Sequence, residues 1–187
     1  FHPEKLILND ICHEMSTCFA DLLSDRQVTF IPGDAEQLSF PSGQDLIVSC
    51  SALQWFVSPE LFFKRCNALL SGHGYFAFST FGKENLKEIA AVTGSGLHYY
   101  SLEELKKSLS MHYNIVSAGE ERIRLTFATP LDVLYHLKHT GVTAVCRQAW
   151  TKGDLQEFCD KYAKLFSCGN AVTLTYHPLY IIARKKP

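Results

Sequence analysis

The chain has 187 residues, 47% hydrophobic and 20% charged, with Lys+Arg 18 against Asp+Glu 19. This is the make-up of one soluble globular domain, and it excludes a disordered or fibrous protein. A chain of this length buries roughly 70% of its unfolded surface, so it needs neither disulfides nor a structural metal.

No apolar run reaches the roughly 18–20 residues of a membrane span. The start, Phe1-His2-Pro3-Glu4, lacks the basic flank and apolar stretch of a secretory signal. The seven scattered cysteines contain no C-x-x-C pair, so they read as reduced, buried, small apolar residues. Together these features predict a cytoplasmic protein without membrane contact. Charge is unevenly spread: residues 1–129 carry 10 basic and 15 acidic side chains, residues 130–187 carry 8 and 4. That is too thin a basic surface for nucleic acid, and it fits a modest basic patch facing an acidic protein partner.

In chain order, Lys5–Asp10 is a short apolar run closed by an acid, the pattern of a buried strand. Ile11, Met15, Cys18, Phe19 and Leu22 then recur at helical spacing. Residues 27–32 predict a second strand stopped by Pro32-Gly33, and residues 45–50 a third. A helix follows with Ser58 as its cap, Pro59 in its first turn and Gly72 as its stop, then a strand over residues 74–80. Residues 85–92 and 101–109 read as helices, the second opened by a capping box of Ser101 and Glu104. Strands alternating with helices predict a doubly wound α/β sheet.

The last third departs from that alternation. A strand near residues 113–117, continued or paired by residues 122–127, precedes two helices that start at Thr129-Pro130 and near Thr151. Residues 172–183 read as one final strand, interrupted by a bulge or sheet edge at Pro178. The two helices, within residues 128–170, form an insertion positioned as a lid.

Open parallel sheets bind ligands outside the carboxyl ends of their strands. Asp10 ends the first strand, where a carboxylate accepts from a ribose diol. Gly33-Asp34-Ala35-Glu36 follows the second, where Asp34 accepts from an adenine amino group and Ala35 offers a backbone N–H. Ser49-Cys50-Ser51-Ala52-Leu53-Gln54-Trp55 follows the third and floors a neighbouring pocket. Three such turns along one sheet edge point to a nucleoside-containing ligand. His136 and His139 lack a third metal ligand, and Cys50 lacks a partner His for nucleophilic chemistry. Phe62-Phe63 and Tyr99-Tyr100 read as core and loop packing.

These motifs, together with Gly72-His73-Gly74 before a strand, resemble those of class I S-adenosylmethionine-dependent methyltransferases. Leu137-Lys138-His139-Thr140-Gly141-Val142 and the run Leu174 to Arg184 are similar to the malonyl-acyl-carrier-protein O-methyltransferases of biotin synthesis. The resemblance spans essentially the whole chain, as a single methyltransferase domain over residues 1–187. It implies a Rossmann-like sheet with an antiparallel last strand, and S-adenosylmethionine held by Asp10, Ile11, Asp34, Ala35 and Cys50. It further implies methylation of the malonyl carboxylate, with Trp55, Arg147, Tyr176 and His177 as substrate-binding candidates. Lys138, Arg147 and Lys152 are candidates for a patch facing the acyl-carrier protein.

One part of the pattern is missing: no G-x-G-x-G loop occurs anywhere. On the resemblance, the chain begins just before the family's second strand, so the sheet would lack its first strand and the piece alone would be inactive. The non-methionine start agrees with part of a longer protein. Methylation of a small free acid such as trans-aconitate, and a non-catalytic binding module of the same fold, are the alternative readings.

Overall fold

The computed structural model describes residues 3–141 and 150–187. Strands β1 (Leu6–Asp10) and β2 (Val28–Pro32) pair in parallel, with Leu6 opposite Val28 and Asp10 opposite Pro32. The expected amphipathic helix between them is instead a 3-10 segment, His13–Phe19, and one α turn, α1 (Ala20–Leu23), with no buried residue. His, Ser, Thr and Cys are weak helix formers. Its apolar stripe also finds little to pack on, since Ile11 stays 76% and Leu22 50% exposed.

The main sheet contains β3 (Gln44–Cys50), β4 (Leu70–Phe81), β5 (Tyr113–Glu120) and β9 (Pro178–Lys185), in the order β3-β4-β9-β5. β3 runs parallel to β4, and β9 lies antiparallel between β4 and β5. The antiparallel last strand is therefore present as expected. No ladder joins β1 to β3 among the described residues.

Alternation along these strands sends two sets of side chains to opposite faces. Phe76, Phe78, Leu179, Ile181 and Ala183 form one core with Phe62, Phe63 and Cys66 of α2 (Pro59–Leu69) and Leu105 and Leu109 of α4 (Leu102–Leu109). The rings of Phe63 and Phe78 stack at 5.6 Å. Tyr113 is buried there and donates its hydroxyl to the Phe63 carbonyl at 2.8 Å. The register puts Leu46, Tyr75 and Arg184 in one row of the opposite face and Val48, Ala77 and Ile182 in the next. This face stays open, with Val48 58% exposed.

A second core lies beside the first. It joins α3 (Lys87–Thr93), α5 (Pro130–His139) and α6 (Lys152–Phe166) to a small antiparallel sheet. That sheet contains β6 (Ile123–Phe127), β7 (Ser167–Cys168) and β8 (Ala171–Tyr176), in the order β6-β8-β7. The box expected at Ser101 forms, and the helix starts expected at Thr129 and Thr151 also carry capping boxes, each hydroxyl accepting from the N–H three residues on. Ser58 is different: its hydroxyl makes no cap, and its backbone N–H is taken by Glu36.

Two further expectations are corrected. Residues 172–183 are not one strand, because the chain changes sheets at His177-Pro178, leaving β8 in the small sheet and β9 in the main one. Proline, which has no N–H to donate, suits this corner. The cysteines are also not uniformly buried. Cys66 is buried and its thiol is pushed up to about 12 by desolvation, whereas Cys12, Cys18, Cys50 and Cys168 are exposed. Cys50 belongs to the open face of β3, in register with Ser79.

Within the second core, α3 is fastened to β8 by one buried carboxylate. Glu88 of α3 is 2% exposed, and it accepts from the Thr175 N–H at 3.0 Å and the Thr175 hydroxyl at 2.5 Å.

Candidate active site

The carboxyl ends of β1, β2, β3 and β4 carry the polar side chains that the fold leaves available. At the end of β1, one Asp10 oxygen accepts from the Cys12 N–H at 2.8 Å. The other oxygen has no partner among the described residues. The Asp10 carbonyl accepts from the Gly33 N–H at 2.8 Å, and Asn9 donates to the carbonyls of Ile31 at 2.7 Å and Gly33 at 3.0 Å. These bonds lock the two acidic turns side by side. Gly33 has a φ of +132°, which only glycine adopts readily. Asp34 repeats the arrangement: one oxygen accepts from the Glu36 N–H at 2.8 Å and the other is unpartnered among the described residues. Two half-buried carboxylates with spare oxygens are a fitting donor-seeking set for a ribose diol and an adenine amino group.

Glu36, which the sequence reading left without a role, fastens this edge to the next loop. Its two oxygens accept from the backbone N–H groups of Val57 and Ser58, each at 2.8 Å. Beside it lies a cavity of about 180 Å³ lined by Asp34, Glu36, Val57, Leu61 and Arg65, among others. Ile11 and Cys50 are exposed and Ala35 is half-buried, so all three face accessible space.

After β3 the backbone is strained. Ser51 has φ +49°, a left-handed conformation that costs a non-glycine residue roughly 1–2 kcal/mol. It is held there because its N–H donates to the Ser79 carbonyl at 3.0 Å and its carbonyl accepts from Gln54. Gln54 in turn accepts from the Thr80 hydroxyl at 3.1 Å. Trp55, 46% exposed, projects from this loop.

At the end of β4, residues 82–86 meet the sheet-switching corner. His177 is 3% exposed. Its Nδ1 accepts from the Glu84 N–H at 3.1 Å, so the imidazole is neutral and carries its proton on Nε2, 3.1 Å from Glu120. Both ring nitrogens are thus engaged internally, and this candidate for substrate contact is a structural latch. Asn85 accepts from the His177 N–H at 3.1 Å and donates to the Tyr99 hydroxyl at 3.1 Å. Tyr176 is half-buried, with its hydroxyl 3.0 Å from Nε2 of His136 and its ring 6.2 Å from Phe81. Lys138 and Lys152 are exposed on α5 and α6, and Arg147 lies outside the described residues. Gln54 lies in the run expected to floor a pocket, whereas the sequence marks Tyr99 only as packing and gives Asn85 and Thr80 no role, because only the fold brings them to this edge.

Around the corner, hydrogen bonds from Arg122 and then Lys87 hold the Glu84 carboxyl down at about 2, and Lys83 does the same for Glu104. Both carboxyls lie below their ordinary 4.5 in the folded chain, so between these values the unfolded chain binds more protons. The stabilisation is therefore complete above 4.5 and is lost as pH falls toward 2. We expect acid destabilisation in that window by urea titration, and a shallower pH dependence in Arg122→Gln.

Among the described residues no His, Cys, Asp or Glu group is arranged to hold a metal, and no helix is long and apolar enough to cross a membrane. A parallel sheet with an antiparallel last strand and acids ending two adjacent strands defines a class I methyltransferase fold. The model of the methyltransferase domain matches residues 2–78. Solved structures of similar fold include the YcgJ protein of Bacillus subtilis, at TM-score 0.62 and 16% identity over 98% of this chain and 83% of that one. Another is the N-methyltransferase NodS of Bradyrhizobium japonicum in complex with S-adenosyl-L-homocysteine, at TM-score 0.54 and 13% identity over 98% and 67%.

Sequence relatives narrow the class. The malonyl-[acyl-carrier protein] O-methyltransferase of Bacteroides thetaiotaomicron is 56% identical over 98% of this chain and 74% of its own length. Its namesake from Bacteroides fragilis is 57% identical over 100% of this chain and 38% of its own length, and that from Haemophilus influenzae 40% over 95% and 68%. The chain belongs to the malonyl-[acyl-carrier protein] O-methyltransferase family.

Proposed function

We propose that this chain serves the transfer of a methyl group from S-adenosylmethionine to the free carboxylate of a malonyl group on acyl-carrier protein, the ester that primes biotin synthesis. The observation that carries the reading is the 56% identity to the Bacteroides thetaiotaomicron enzyme over 98% of the chain. S-adenosylmethionine supplies an electrophilic methyl on a sulfonium. Asp10 and Asp34 suit its ribose and adenine, because each keeps one carboxylate oxygen without a partner among the described residues. No residue of this chain offers the glycine-rich backbone that suits the methionine end.

The substrate carboxylate asks little of the protein. Such a group is ionised at pH 7 and needs no general base. One of its oxygens forms the O–CH₃ bond as the S–CH₃ bond breaks and the electron pair returns to sulfur. What remains is positioning and exclusion of water, effects that reach roughly 7–11 kcal/mol in well-oriented reactions. α5 and α6 serve as a lid in this reading, and the exposed Lys138 and Lys152, with Arg147 as the sequence candidate between them, suit an acidic carrier surface. Trp55 suits a pocket wall. The cytoplasm, where acyl-carrier proteins work, is the setting this reading requires.

The test is methyl transfer from labelled S-adenosylmethionine to malonyl-acyl-carrier protein by the intact protein, with trans-aconitate as the parallel acceptor. Label should appear on the carrier, vanish when acetyl replaces malonyl, and weaken as rising salt screens the carrier surface. Label on trans-aconitate alone overturns the carrier as substrate, and label on neither overturns the activity.

A further inference from the structure

Two phenols flank Phe81 where the second core joins the main sheet, and neither is explained by packing alone. Tyr99 is half-buried in the loop before α4 and lines a small cavity with Gln54, Thr80 and Phe81, at the carboxyl ends of β3 and β4. Asn85 fixes its hydrogen bonding. That side chain is 5% exposed, and its carbonyl oxygen is already committed to the His177 N–H, so its amide must donate to the Tyr99 oxygen. The Tyr99 O–H is thereby left to donate, and it has no acceptor among the described residues.

Tyr176 approaches from β8, beside Phe81, and is paired with His136 of α5. In the tautomer with its proton on Nε2, His136 donates to the Tyr176 oxygen and leaves the Tyr176 O–H to be shared between the neighbouring Thr140 hydroxyl and a ligand. Burial pushes both hydroxyls above the ordinary tyrosine value of 10, and Tyr176 lies near enough that its charge would raise Tyr99 further. Both phenols therefore remain protonated donors at neutral pH.

We propose that Tyr99 and Tyr176 form a two-phenol clamp for the malonyl carboxylate, with Asn85 and His136 as positioning residues. The proposal rests on the carboxyl-methylation reading above and names the donors that reading lacks. Neutral O–H donors suit a carboxylate that must also act as nucleophile: they orient it through charge-assisted bonds yet add no full positive charge to quench it. The methyl ester product has no anion to offer, so the same donors hold it less well and favour its release.

The clamp predicts a selective defect. In the intact protein, Tyr99→Phe and Tyr176→Phe should each lower kcat/KM for malonyl-acyl-carrier protein by about 10- to 100-fold, the range of one lost hydrogen bond to a charged group. Binding of acetyl-acyl-carrier protein, which lacks the carboxylate, and of S-adenosylhomocysteine should stay within about twofold; the urea midpoint should fall in both variants, since Phe keeps the ring but leaves the Asn85 amide or the His136 ring N–H without its acceptor. Asn85→Asp replaces the donor with an acceptor that captures the Tyr99 proton, so it should reproduce the Tyr99→Phe defect and add little to it in the double variant. Retention of the wild-type malonyl-over-acetyl preference in both Phe variants overturns the clamp while leaving carboxyl methylation standing. Failure of the unaltered protein to methylate the malonyl carrier overturns both.

Discussion

Glu88→Ala is expected to cost about 4 kcal/mol of stability, read as a fall in the urea midpoint. Three contributions lead there. The Thr175 N–H and hydroxyl lose their acceptor in a site where Glu88 is only 2% exposed, and an unsatisfied buried group costs about 1–3 kcal/mol. The shortened side chain also leaves a cavity beside Thr175. Glu88→Gln should recover part of the loss, because its amide oxygen still accepts one of the two bonds. Thr175→Val should lose less than Glu88→Ala, since it keeps the backbone donor and the packing volume. Equal stability of Glu88→Ala and the unaltered protein would mean that water replaces the carboxylate and that α3 is not fastened to β8 here.

This bond also marks where the sequence stops being readable. Glu88 and Thr175 are 87 residues apart, and no local pattern links them. Features set by a few neighbouring residues were legible: the strand ends at Asp10 and Gly33, the capping box at Ser101, and the helix starts at Thr129 and Thr151. In each, donor and acceptor lie within one turn of chain. The sheet switch at Pro178 was not legible, because Val172–Tyr176 and Leu179–Ala183 both alternate like strands and only their partners differ. Nor was the exposure of Cys50 and Val48, since hydrophobic alternation tells which side chains share a face, not whether anything covers it. The positions of Asp10 and Asp34 at the ends of adjacent strands were legible, and Tyr176 was a substrate-binding candidate. The pairings Asn85–Tyr99 and His136–Tyr176 were not legible, because they join separate segments of the chain.

The second large effect is expected at His177, where one ring joins the corner to both sheets. His177→Ala should cost about 3 kcal/mol and disturb the site as well as the fold. The Glu84 N–H loses the Nδ1 acceptor and Glu120 loses the Nε2 donor, while a buried ring leaves a cavity. Gly82 reports independently on the same ring: a Cβ there would sit 2.6 Å from its Cε1 and Nδ1, and a 3%-exposed ring has little room to retreat. Gly82→Ala should therefore destabilise by about 1–3 kcal/mol through overpacking, and much less in a His177→Ala background, where the space is free. His177→Phe separates shape from bonding. It fills the cavity but offers neither acceptor nor donor, so it should remain destabilised by about 1–3 kcal/mol for the buried N–H it leaves unpaired. Because the His177 backbone N–H also aligns Asn85, and Asn85 aligns Tyr99, a latch that loosens should lower methyl transfer at temperatures where the protein is still folded. If His177→Phe instead matches the unaltered protein in both stability and turnover, the ring acts by volume alone, and the corner is set by the proline and the backbone bond from Gly82 to His177.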